Sequence, residues 1–127
     1  MLTKRTMTGM ALGLLGAAAL MTQTTEAHHY VGNYKSDMTT IKGRITEAFF
    51  GNPHGHIMVK SGGTTWEVIL GSAYDSKKKK LADQLKVGMS VKVIGWPHFS
   101  DDMKEILPAS IRTSERLIEM YRSTSDR

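Results

Sequence analysis

Thr64-Thr65-Trp66-Glu67-Val68-Ile69-Leu70, then Gly71, then Asp75-Ser76-Lys77-Lys78-Lys79-Lys80-Leu81-Ala82-Asp83-Gln84-Leu85-Lys86-Val87-Gly88 is the stretch whose reading decides the fold. The first part is rich in β-branched and aromatic residues and sets Trp66 and Val68 on one face, the period-two pattern of a strand. Past Gly71 the period changes. Leu81 and Leu85 stand four apart, so they share one face of a helix, with the lysines on its outside. Asp75 or Ser76 supplies its cap, and Gly88 its stop.

Upstream, Thr40-Ile41-Lys42-Gly43-Arg44-Ile45-Thr46-Glu47-Ala48-Phe49 alternates Ile41, Gly43, Ile45 and Phe49 on one face, which predicts a first strand. Gly51-Asn52-Pro53-His54-Gly55 breaks it. His56-Ile57-Met58-Val59-Lys60 predicts a second strand, joined to the third by a Ser61-Gly62-Gly63 hairpin turn. Downstream, Ser90-Val91-Lys92-Val93-Ile94-Gly95-Trp96 alternates again. Pro97-His98-Phe99-Ser100-Asp101-Asp102 reads as a polar loop, and a fifth strand is expected near Pro108 to Thr113. Three strands, a helix and two strands is the order of a mainly β fold, a small five-stranded OB-like barrel with one helix between strands three and four. In that barrel the loops after strands one and four reach the same ligand-facing side. His54 lies in the first and His98 in the second.

The chain begins as an exported one does. Lys4 and Arg5 form a basic start, residues 7–21 an apolar run too short for a convincing membrane span, and residues 22–26 a polar approach to a small-residue cut. Thr25 and Ala27 suit cleavage after Ala27; Ala17 and Ala19 suit a competing cut after Ala19, and an uncleaved anchor is the third alternative. The expected division is signal peptide 1–27, N-terminal arm 28–38, barrel 39–113 and C-terminal extension 114–127. Residues 115–121 read either as a short helix or as the return arm of a hairpin. A periplasmic location follows, with no stable membrane insertion once the signal is cut.

Composition narrows the functions. Without residues 1–27 the chain is long enough for one small domain and not for two. There is no cysteine, which excludes thiolate metal sites, cysteine catalysis and disulfides. Of the nine methionines four fall in the signal, and the scattered remainder suits core packing. The chain carries a net charge of +5. The run Lys77-Lys78-Lys79-Lys80 accounts for the positive excess left after the signal is removed, so one solvated cluster is expected rather than a nucleic-acid-binding face.

All five histidines, His28, His29, His54, His56 and His98, follow the signal. Neutral imidazole is a ready ligand for copper or zinc, and a new terminal amine at His28 adds a chelating nitrogen. The competing reading is ordinary: loop histidines that bond the backbone, and a terminal pair that holds nothing. Trp66, Trp96 and Phe99 suit either stacking on a ligand or, for Trp66 above all, core filling. Asp101-Asp102 suits support of a ligand histidine or simple solvation. No nucleophile elbow, helical His-Glu-x-x-His or phosphate loop is present, so the expectation is a non-enzymatic protein.

Several pieces occur together: Ala27-His28-His29, Lys42-Gly43-Arg44-Ile45, Asn52-Pro53-His54, Trp66 with Gly71-Ser72, and Leu85 through Gly88 to Val91, Val93 and Gly95. In combination they resemble a family of small exported bacterial proteins of unknown function, with an Ala-His-His processing junction and an Asn-Pro-His box. The chain departs from it in Gly51 before the box, His56 after it, and Ala73 where the family often has proline. The resemblance implies an envelope location and an OB-like barrel, and no settled activity. The leading expectation is a periplasmic non-enzymatic binding protein holding copper or zinc through histidines at one barrel end. The alternative is a metal-free envelope adaptor or small-ligand-binding domain. The expected partners are a metal ion or an envelope protein, and no nucleic acid.

Overall fold

The computed structural model describes residues 31–121. Strands β1 (Thr39–Phe49), β2 (Gly55–Ser61) and β3 (Thr64–Gly71) form an antiparallel meander. Helices α1 (Ala73–Lys78) and α2 (Leu81–Gln84) follow, then β4 (Ser90–Pro97), β5 (Glu105–Arg112) and β6 (Leu117–Glu119). The hydrogen-bonded order is β3-β2-β1-β4-β5, and the parallel pairing of β3 with β5 closes five strands into the OB-like barrel. Strand β6 pairs with β5, so residues 117–119 are a hairpin return arm, not a helix.

The barrel closes around Ile45, Ile57, Val59, Val68, Leu70, Val93, Ile106 and Ile111, all buried. Leu81 and Leu85 plug one end, as their spacing foretold. The helix carrying them is broken in two. Ser72, not Asp75 or Ser76, is the N-cap: its hydroxyl accepts from the Asp75 N–H at 3.1 Å. Lys80 then takes a left-handed conformation at φ 56° between the two short helices. Gly88 turns the chain at φ 94°, and its N–H donates to the Ile45 carbonyl at 2.8 Å, tying the helical segment to β1.

Strand β1 contains a bulge. Ile45 faces Val59 and Glu47 faces Met58, so Thr46 is an extra residue and the alternation slips by one. Phe49, expected inward with Ile41 and Ile45, therefore points out and is 44% exposed. Trp66 pairs with Val59 and shares its inward phase, half-buried against the core, as a core-filling residue should be.

A second apolar cluster lies outside the barrel wall. Tyr34 from the N-terminal arm packs with Ile69, Trp96 and Leu107, and Ala109 and Tyr121 border them. Backbone bonds pin the arm along the β4–β5 loop: Lys35 N–H to the Pro97 carbonyl at 2.9 Å, and Phe99 N–H to the Asn33 carbonyl at 2.8 Å. Among the described residues no helix is long and apolar enough to cross a membrane.

Candidate functional site

The sheet register sorts the charged side chains into two rows. Glu47, Met58, Glu67 and Glu105 are successive partners across β1, β2, β3 and β5. His56 sits over this acidic row, with Nε2 3.4 Å from Glu47 and Nδ1 3.7 Å from Glu67, and its ring lies 5.6 Å from that of Phe49. His54 is nearby: burial lowers its pKa, Glu67 partly offsets this, and His56 adds to it. Glu105 is covered by Tyr34, whose hydroxyl donates to its Oε2 at 3.0 Å. Burial raises the Glu105 pKa to about 7, Tyr34 opposing and Glu67 adding to the rise.

The second row is basic. Lys42 on β1 pairs with Lys92 on β4, and Lys92 pairs with Arg112 on β5. Two residues along β1, Arg44 pairs with Lys60 on β2. Opposed side chains in such pairs have Cβ atoms roughly 5 Å apart, close enough for like charges to repel. These five cations line a groove of about 640 Å³. No carboxylate and no aromatic ring lines it among the described residues, and none of the five is in an ion pair there. Arg44 alone has a fixed hydrogen bond, donated to the Gly88 carbonyl at 2.7 Å.

The expected histidine site is not assembled. His54 and His56 meet, but at carboxylates. His98 is instead a buried structural residue of the β4–β5 loop: its Nδ1 accepts from the Ser100 N–H at 3.0 Å, its ring stacks on Phe99 at 5.0 Å, and Tyr34 packs edge-on at 5.9 Å. Asp101 does not support it; it is exposed and pairs with Lys35 at 3.1 Å, which holds its carboxyl below the usual range. Among the described residues no three His, Asp or Glu side chains are placed to hold a metal ion. His28 and His29 lie outside the described residues.

No family model and no curated protein matches the chain. Among solved structures it is similar to a chain of the S. pombe Stn1–Ten1 complex, with a TM-score of 0.50 and 19% identity. The match covers 62% of this chain and 59% of that one. At this identity the likeness shows the fold alone, an OB-like β-barrel.

Two expectations are thereby corrected. The copper- or zinc-holding protein is overturned: His54, His56 and His98 are spent on carboxylates, rings and loop backbone, no metal-holding group forms among the described residues, and the solved likeness shows an OB-like barrel. The exclusion of nucleic acid is overturned too. It rested on the lysine run as the sole basic cluster and on the expected export of the chain, whereas the barrel belongs to an architecture used for oligonucleotides and oligosaccharides, and its walls gather five further cations in one groove.

Proposed function

We propose that this chain is a non-enzymatic OB-fold module that binds single-stranded nucleic acid through the basic groove of β1, β2, β4 and β5. The observation that carries the reading is the row Lys42, Lys92, Arg112 beside Arg44 and Lys60. Like charges placed opposite one another destabilise a sheet, and a run of phosphates relieves that repulsion. The path is displaced from the face between the β1–β2 and β4–β5 loops that OB barrels commonly use. Here that face carries Glu47 and Glu67, which repel phosphate. The sequence of residues 1–27 supports export of the chain, and the exact mass of the secreted protein tests it: a start at His28 is expected, and retention of residues 1–27 overturns it.

Binding through five cations gives an affinity that falls with salt, with a log–log slope of about −3.5 at roughly 0.7 per phosphate contact. Lys92→Glu separates function from fold. The new carboxylate stands between Lys42 and Arg112, so the barrel gains about 0.2–1 kcal/mol while oligothymidylate affinity drops at least tenfold and the salt slope flattens. Thermal melts and fluorescence titrations check both halves. Unchanged affinity in Lys92→Glu sinks the reading, as does equal binding of a sulfated polysaccharide of similar charge density.

A further inference from the structure

The groove holds phosphates but offers no ring for a base to stack on, which directs attention to the neighbouring mouth of the barrel. There a cleft of about 320 Å³ opens between the N-terminal arm and the β4–β5 loop, lined by Trp66, Lys104, Met38, Met103, Thr39 and Lys35 among others. It lies opposite the end plugged by the helices. Its volume is at the small end of ligand pockets, enough for one ring rather than a large molecule. Three features mark it as a ring site. The half-buried Trp66 lines it at the start of β3, held against the core by its inward phase. The Lys104 ammonium stands 5.7 Å from the Trp66 ring centroid and, after Lys35, is close enough to Asp101, which lines the cleft with Asp37, to lower its pKa. The backbone beneath is fixed, because the Glu67 N–H donates to the Lys104 carbonyl at 2.8 Å.

The cleft and the groove share strands. Thr39 of the cleft and Lys42 of the groove are three residues apart on β1, about 10 Å at roughly 3.3 Å per residue. On the other side, Trp66 follows Thr65, the register partner of Lys60. A strand whose phosphates follow the basic row therefore passes within a nucleotide or two of the mouth.

We infer that the cleft is a nucleobase subsite: one base of the bound strand stacks on Trp66 beside Lys104, while its phosphates stay on the basic row. This inference rests on the proposed groove. Stacking tolerates any base, so the subsite selects for the presence of a base and not for its identity. Trp66 is also a reporter, since the other tryptophan, Trp96, is 6% exposed, packs in the outer cluster and does not line the cleft.

The test compares a roughly 12-nucleotide oligothymidylate with an abasic phosphodiester of equal length, using the purified chain, Trp66→Phe and Trp66→Leu. Thymidine oligomer is expected to quench tryptophan emission and to bind roughly tenfold tighter than the abasic strand, with similar salt slopes. In Trp66→Leu the two strands should bind alike. Trp66→Phe keeps a ring against the core; it should lose the quench and keep part of the preference. If thymidine and abasic strands bind the native chain equally while Lys92→Glu weakens both, the groove stands and the base subsite is overturned. If neither strand binds, both readings fall.

Discussion

Gly43→Ala should cost the barrel about 3 kcal/mol or more, with Gly95→Ala close behind and the double variant unfolded at room temperature. At both positions an added Cβ would overlap a backbone carbonyl oxygen, that of Lys60 at Gly43 and that of Leu107 at Gly95. Neither glycine has a positive φ, so the requirement is space rather than backbone freedom. Gly43 lies where β1 leaves β4 and engages β2, and Gly95 lies at the register shift between β4 and β5. A clash with a side-chain tip is relieved by a rotamer change. A clash with a ladder carbonyl moves a strand and breaks its hydrogen bonds, a large share of the roughly 5–15 kcal/mol that holds a small domain together. Gly63→Ala is the control: it has open space around it and no positive φ, and should melt within about 0.5 kcal/mol of the parent. Urea titrations followed by circular dichroism give the order, and a Gly43→Ala melt matching that of Gly63→Ala would refute the argument.

The same glycines show what was legible before the structure. Period-two runs, the turn at Ser61-Gly62-Gly63 and the change of period at Gly71 are local signals, and each placed its element correctly. The four-residue spacing of Leu81 and Leu85 foretold that both are buried, but α2 ends at Gln84 and Leu85 is its extended cap. The bulge at Thr46 was not legible, because nothing in Arg44-Ile45-Thr46-Glu47 says which of two alternations β2 will accept; pairing with Met58 decides it. The break at Lys80 was hidden by good helix-forming residues on both sides, since the need to seat Leu81 in the barrel end overrides their propensity.

The groove was the larger miss. Lys42, Arg44, Lys60, Lys92 and Arg112 spread over four strands, and a run such as Lys77–Lys80 draws the eye instead. The signal existed: each cation sits between inward-facing residues on a strand, as in Ile41-Lys42-Gly43 and Val91-Lys92-Val93, so all point outward. What sequence lacked was register, and one residue of slip would scatter the row. The histidines erred in the opposite direction. His54 and His98 do occupy the loops expected of them, yet sharing a side of a barrel brings side chains together only if their rotamers are free. His98 is committed to Ser100, Phe99 and Tyr34.

Replacement of Glu105 by glutamine should abolish a pH dependence that the native barrel shows near neutrality. Glu105 is 3% exposed, faces Glu67 across the parallel pair and meets the Tyr34 hydroxyl. Its folded pKa of about 7 stands above the ordinary 4.5, so the folded state holds a proton that the unfolded chain has released. Stability from this group is therefore complete below about pH 4.5 and is lost as pH rises through about 7, by roughly 3 kcal/mol over the whole window. His54, whose pKa is lowered, works in the opposite direction as pH falls, but it is unchanged in the variant and cancels in the comparison. Asp101 is fully exposed and its depressed carboxyl titrates below this range. In Glu105→Gln the amide oxygen still accepts from Tyr34, and the side chain carries no charge at any pH. The two proteins should diverge steadily between about pH 5 and pH 7 and run parallel above it, with Glu105→Gln the more stable at the upper end. Because Tyr34 anchors the arm that walls the Trp66 cleft, the native protein should also lose protection of the Lys35 and Phe99 amides from hydrogen exchange as pH rises, after correction for intrinsic rates. Parallel stability profiles for the native and Glu105→Gln proteins would show that Glu105 carries its charge under the arm at no expense.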